Sequence, residues 1–171
     1  MSRFKSLLKL LQGPFKCAVK DGLKIGKGVT VMSGCNFGSE PYLITLGDFV
    51  RISNDVLFIT HDGGNWSFRH QEPYLGVNHF GKIVIDEYTF IGARAIILPG
   101  VHIGKHCVIG AGSVVVKDVP DYSVVAGVPS KIISDTQAYA LKMKNKMPEN
   151  WSPKEYKKNK KEYLIKTIPK P

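Results

Sequence analysis

A chain of 171 residues suits one domain with small appendages and is long enough to bury a core. Hydrophobic residues are 43% and charged residues 22%, the balance of an ordinary soluble globular protein. Cys17, Cys35 and Cys107 are an odd count without metal-ligand spacing, which argues against a disulfide framework and for a reducing, cytoplasmic compartment. The formal charge of +10 is uneven, since Lys142 to Pro171 holds ten Lys against Glu149, Glu155 and Glu162. Such a tail suits a solvated helix face, an anionic membrane surface, a phosphorylated ligand or nucleic acid; no recognised motif supports the last, and no nucleic-acid partner is expected.

Residues 1–24 read as an N-terminal cap. Phe4, Leu7, Leu8 and Leu11 recur at helical spacing within Met1 to Lys20, giving a short amphipathic helix that covers the open end of residues 25–133. Arg3, Lys5 and Lys9 would also let that helix make a weak membrane-surface contact. The apolar run is too short and too interrupted for a signal peptide or a spanning segment.

Residues 25–133 carry a repeat of six. Ile85, Ile91, Ile97, Ile103, Ile109 and Val115 stand in phase, and Thr89, Ala95, Val101, Cys107, Ser113 and Val119 follow them at a fixed offset of four. A weaker copy runs through Ile25, Val31 and Phe37, then after a three-residue slip through Leu46, Ile52 and Phe58. Neither a helix nor an alternating strand explains this period. It fits short strands joined by turns, three hexads closing one triangular coil around a continuous core. The residue after the aliphatic, usually small or acidic (Asp86, Gly92, Gly104 and Gly110, with Leu98 and Val116 as exceptions), is expected to support the bend, where unusual backbone angles favour Gly or Asp.

The register breaks between Phe58 and Ile83, a stretch that holds His61, His70 and His79, the last two in an excursion loop over residues 62–81. A long departure from a regular solenoid is usually functional. Residues 134–171 form a basic helical tail: one helix over Asp135 to Met147, and a second opened by Ser152-Pro153-Lys154-Glu155 and running toward Ile165.

The run Ile103-Gly104-Lys105 through Ile109-Gly110-Ala111-Gly112-Ser113 to Val119-Pro120, with the ending Val125-Ala126-Gly127-Val128-Pro129-Ser130-Lys131, resembles the hexapeptide-repeat acyltransferases. The likeness is to the galactoside, maltose and capsular-polysaccharide O-acetyltransferases and covers residues 25 to 133. It implies a mainly β fold, a left-handed parallel β-helix, assembled as a homotrimer that binds acetyl-CoA between subunits and acetylates a sugar or polysaccharide-precursor hydroxyl without a metal. By that resemblance His61, in Thr60-His61, is the general base, and the backbone N–H of Ala93 is the oxyanion donor. Phe90 stands where the family often has Trp. The pantetheine arm is expected past Gly110, Ala111 and Ser113, with phosphates near Lys117 and Lys131. Asn36, in Asn36-Phe37, either holds the acceptor or satisfies its own turn. Trp66, Tyr74, His70 and His79 are acceptor-contact candidates, or else residues that pin the loop.

Other readings share the fold. An antibiotic acetyltransferase would keep donor and base but change the acceptor. A γ-class carbonic anhydrase would gather zinc on His61, His102 and His106, and a non-catalytic scaffold would bind no CoA.

Overall fold

The computed structural model describes residues 13–168; the apolar positions Phe4, Leu7, Leu8 and Leu11 of the expected cap and membrane-contact helix lie outside them. The chain forms two compact units, parting after Thr136. The first is mainly β and built from very short strands. Helix α1 (Pro14–Lys20) is followed by β1 (Lys24–Ile25), β2 (Thr30–Val31), β3 (Ile44–Leu46), β4 (Arg51–Ile52) and β5 (Leu57–Phe58). Then come β6 (Ile83–Ile85), β7 (Phe90–Ile91), β8 (Ile96–Ile97), β9 (His102–Ile103), β10 (Val108–Ile109) and β11 (Val114–Val115). The hairpin β12 (Ser123–Gly127) and β13 (Ser130–Asp135) ends the unit.

Successive strands rotate among three ladders. The first runs β1–β3–β6–β9, the second β2–β4–β7–β10–β12, and the third β5–β8–β11. Every pairing is parallel except β12 with β13. Asn36 extends the third ladder through a single bridge to Leu57. A two-residue strand cannot hold itself; it is held because the coil above and the coil below each supply hydrogen bonds and an apolar neighbour.

The six-residue period is the period of burial. Leu46, Ile52, Phe58, Ile85, Ile91, Ile97, Ile103, Ile109 and Val115 are all enclosed, with 0–1% exposure. Each such side chain contributes about 1.5–3 kcal/mol relative to solvent exposure. The weaker first copy differs because it lies at the open end. Ile25 is 44% exposed there, whereas Phe37 is buried by stacking on Phe58 at 5.1 Å and by Phe15 of α1 at 5.9 Å.

The bend is made differently from the sequence expectation. Positive φ falls on the third residue after the aliphatic, not the first: Phe49, Asp55, Tyr88, Arg94 and His106 lie at 54–59°, as does Tyr122, third after Val119. Glycine at the first position serves close approach instead. A Cβ on Gly92 would lie 2.6 Å from the Ala111 nitrogen of the next coil, and one on Gly104 would lie 2.7 Å from the Asp121 nitrogen. Left-handed backbone at bulky residues costs about 1–3 kcal/mol each. Along one corner that cost is offset by a column of rings, Phe49 on Tyr88 at 5.0 Å, Tyr88 on His106 at 5.0 Å and His106 on Tyr122 at 5.1 Å.

The second unit contains most of α2 (Thr136–Asn145), then α3 (Pro153–Lys158) and α4 (Lys160–Thr167). Ser152 caps α3 as its sequence suggests, accepting from the Glu155 N–H at 3.3 Å. The expected single helix toward Ile165 is nevertheless two. Asn159 leaves helical geometry at φ −148° and its side chain caps α4 by accepting from the Glu162 N–H. A short amide side chain competes with the helix for backbone donors, and here it wins.

Candidate active site

Two insertions leave the coil at the same corner, between the third and first ladders. The earlier one runs from Gly38 through the 3-10 turn Pro41–Leu43 into β3. The later one spans Ile59 to Lys82, between β5 and β6. Asn36 pairs with Leu57 before the insertions and Ile44 with Ile83 after them, so one insertion is stacked on the other and the coil resumes in register.

This stacking brings Glu40 to His61. One carboxylate oxygen of Glu40, Oε2, lies 3.0 Å from His61 Nδ1 and accepts from Thr60 Oγ1 at 2.6 Å. The Glu40 side chain is 15% exposed and that of His61 is 44% exposed, so the acid is sheltered and the ring faces out. Burial alone would raise the Glu40 carboxyl, but hydrogen bonds from Thr60, Ser39 and His61 outweigh it and hold the group below its ordinary range. An ionised carboxylate only accepts, so this contact calls for a proton on Nδ1, and the tautomer that satisfies it keeps the lone pair on Nε2.

The ends of the long insertion clasp this pair. The Asp62 N–H donates to the His79 carbonyl at 3.0 Å, and the Gly81 N–H donates to the Thr60 carbonyl at 2.9 Å. Phe80 bridges His61 in the backbone, and its ring lies 5.8 Å from the imidazole. Beyond the clasp, Arg69 sits 4.9 Å over the Trp66 ring and donates to Asn78 Oδ1 at 2.8 Å. Trp66 is 73% exposed, and Tyr74, half-exposed, meets Phe68 edge-on. His70 and His79 are exposed, and His70 Nε2 lies 3.2 Å from the Gln71 amide.

The remaining sequence candidates fall in several places. Asn36 accepts from the Gly38 N–H at 2.9 Å, which closes a local turn, and it lines a cavity of about 330 Å³ with Cys17, Ala18 and Pro41. Ala93, Gly110 and Ala111 share a different corner, between the second and third ladders. There the Ala93 carbonyl accepts from Gly112, and no backbone acceptor among the described residues takes the Ala93 N–H. Phe90 points outward from β7, half-exposed, and Lys131 is exposed on β13. Lys117 is exposed past β11, at the His61 corner two coils on. Ser113 is enclosed at 0% exposure, facing the core rather than the surface. His102 pairs with Asp86 at 2.8 Å and His106 belongs to the ring column, so within one chain neither joins His61. Glu40 escaped the sequence reading; its trace is the three-residue slip after Phe37.

Residues 82–117, which run from the start of β6 past β11, match the bacterial transferase hexapeptide signature (six repeats). Over 126 residues the chain is 43% identical to Protein CapG of Staphylococcus aureus, covering 72% of each. It belongs to the hexapeptide-repeat transferase family. It is also similar to the galactoside O-acetyltransferase of Escherichia coli (strain K12), at 38% identity over 97 residues, 56% of this chain and 46% of that enzyme. The solved maltose O-acetyltransferase from Clostridium difficile 630 superposes with a TM-score of 0.55 at 32% identity, over 65% of this chain and 57% of the other. The chain thus spans roughly half the length of these two O-acetyltransferases.

Proposed function

We propose that this chain is an O-acetyltransferase that moves an acetyl group from acetyl-CoA to a hydroxyl of a sugar or polysaccharide precursor, with His61 as general base. The observation that carries this reading is the Glu40–His61 pair, in which a sheltered carboxylate engages Nδ1 of a partly exposed imidazole. Nε2 takes the proton of the acceptor hydroxyl as its oxygen attacks the thioester carbonyl. The tetrahedral oxyanion then collapses, the C–S bond breaks, and the imidazolium returns the proton to the departing thiolate. Glu40 accepts from Nδ1–H throughout and steadies the ring while it is charged. On this reading the three-ladder coil is left-handed, and the protein works in the cytoplasm.

His61 and Ala93 occupy different corners of one chain, separated by the width of the third ladder. A site that uses both therefore needs a neighbouring copy, which supports a homotrimer with the donor lying between subunits. The exposed corner at Ala111 and Gly112 offers backbone with little side chain in the way, suited to a narrow pantetheine arm, and Lys117 and Lys131 suit its phosphates. Trp66 and Tyr74, both exposed, would stack on an acceptor ring. The test is a panel of sugar and nucleotide-sugar acceptors with acetyl-CoA, read by thiol release in wild-type and His61→Ala protein. Acceptor-dependent thiol release that persists in His61→Ala removes the proposed base.

A further inference from the structure

The unit Gln137–Pro171 has an unusual polar composition, with ten Lys, three Glu and neither Arg nor Asp. It therefore carries +7 of the chain's formal +10. Three of its four aromatic residues are used internally, and the fourth, Tyr139, is 38% exposed on α2. Trp151 packs on Tyr156 at 5.3 Å and edge-on to Tyr163 at 5.4 Å, and the Tyr163 hydroxyl accepts from the Ser152 N–H and donates to the Asn150 carbonyl. Its two isoleucines are not. Ile165 on α4 is 73% exposed and Ile168, the extended residue that follows the helix, 50%, with Lys161 and Glu162 one turn before Ile165 and Lys166 beside it.

We propose that this unit binds the surface of an anionic lipid bilayer, its lysines among the headgroups and Ile165 and Ile168 entering the interface. Lysine suits that surface, because its long apolar stem lies along the boundary while the ammonium reaches the charged layer. Ile165 and Ile168, exposed beside lysines, find no burial within the unit. Nucleic acid fits less well: its phosphates and bases favour Arg forks and several free aromatic faces, and this unit has no Arg and commits three of its four rings to its own packing. No described helix is long and apolar enough to cross a membrane, so the binding is peripheral. The inference stands apart from the proposed acetyl transfer, and its test needs no activity.

The experiment is sedimentation of the full chain with vesicles of phosphatidylcholine, with and without phosphatidylglycerol. Binding is expected only with phosphatidylglycerol and should fall steeply with added salt. Lys154→Gln, Lys157→Gln, Lys158→Gln and Lys161→Gln together should weaken it by at least about tenfold. Ile165→Ser with Ile168→Ser should weaken it several-fold while circular dichroism stays unchanged, since both side chains are exposed. Three results each overturn the proposal: no binding to phosphatidylglycerol vesicles, unaltered binding by the isoleucine variant, or tighter binding to a labelled single-stranded RNA than to the vesicles.

Discussion

In the regular coils, the residue that recurs every six positions is enclosed from Leu46 to Val115, and its neighbours one coil up and down are of the same kind. At the corner between the third and first ladders the chain abandons that rule twice. What gathers there is a carboxylate, a hydroxyl and an imidazole rather than aliphatics. The contrast separates two demands that share one chain. The coils are selected by packing and tolerate almost no chemistry inside. The corner insertions are freed from packing because the ladders on either side close without them, Ile44 onto Ile83 and Leu46 onto Ile85.

If that division is right, damage in one region should spare the other. The largest expected effect is at the corner: His61→Ala should lower kcat by about 10²–10⁴-fold and leave the melting temperature near wild type. The converse change is Ile103→Ala, which opens a cavity in the middle of the stack and should cost about 2–5 kcal/mol of stability, read by denaturant unfolding. In the surviving folded fraction, turnover per molecule should stay near wild type. A His61→Ala protein that unfolds, or an Ile103→Ala protein that folds fully but is inactive, breaks the comparison.

Glu40→Gln sharpens it further, since it changes one charge inside the corner. The expected loss in kcat is roughly 10–10³-fold, below that of His61→Ala, because the base remains but its orientation and the stabilisation of its charged form do not. Stability gives a second signature. The folded-state carboxyl is held below its ordinary value, so Glu40 contributes stability above the unfolded carboxylate pKa and loses it as pH falls through the folded one. Melting temperatures of wild type and Glu40→Gln should therefore differ at neutral pH and converge in acid. A constant gap across that range would mean that the Glu40 charge does not matter.

The coil was legible in the sequence because one packing demand repeats in phase from Ile85 to Val115. The pairing at the corner was not. Glu40 and His61 meet only once both insertions are known to leave at the same corner, and the slip after Phe37 records an insertion without saying what it touches. The backbone angles were equally hidden. Among the described residues six non-glycines, Tyr88 and His106 among them, take positive φ, and nothing in a surface Tyr or His announces it. The break at Asn159 was missed for a local reason, since a good capping box at Ser152 says where a helix starts but not where an amide side chain will stop it.

The smallest expected effect lies at Ser113, where coil and donor-site readings compete for one residue. Its side chain is fully enclosed, and its hydroxyl has no hydrogen-bond partner among the described residues. A buried hydroxyl without a partner is a net cost, and removing it recovers part of the desolvation penalty. The register places Ser113 above Ala95, which fills the same enclosed position one coil earlier, so alanine already fits this column. Ser113→Ala should therefore be neutral or stabilising by up to about 1 kcal/mol, seen as an unchanged or slightly raised melting temperature. The KM for acetyl-CoA should not move, because a side chain facing the core offers the donor nothing that alanine lacks. A several-fold rise in that KM with an unchanged melting temperature would mean that the hydroxyl turns outward when the donor binds, and would return Ser113 from the packing of the coil to the acetyl-CoA site.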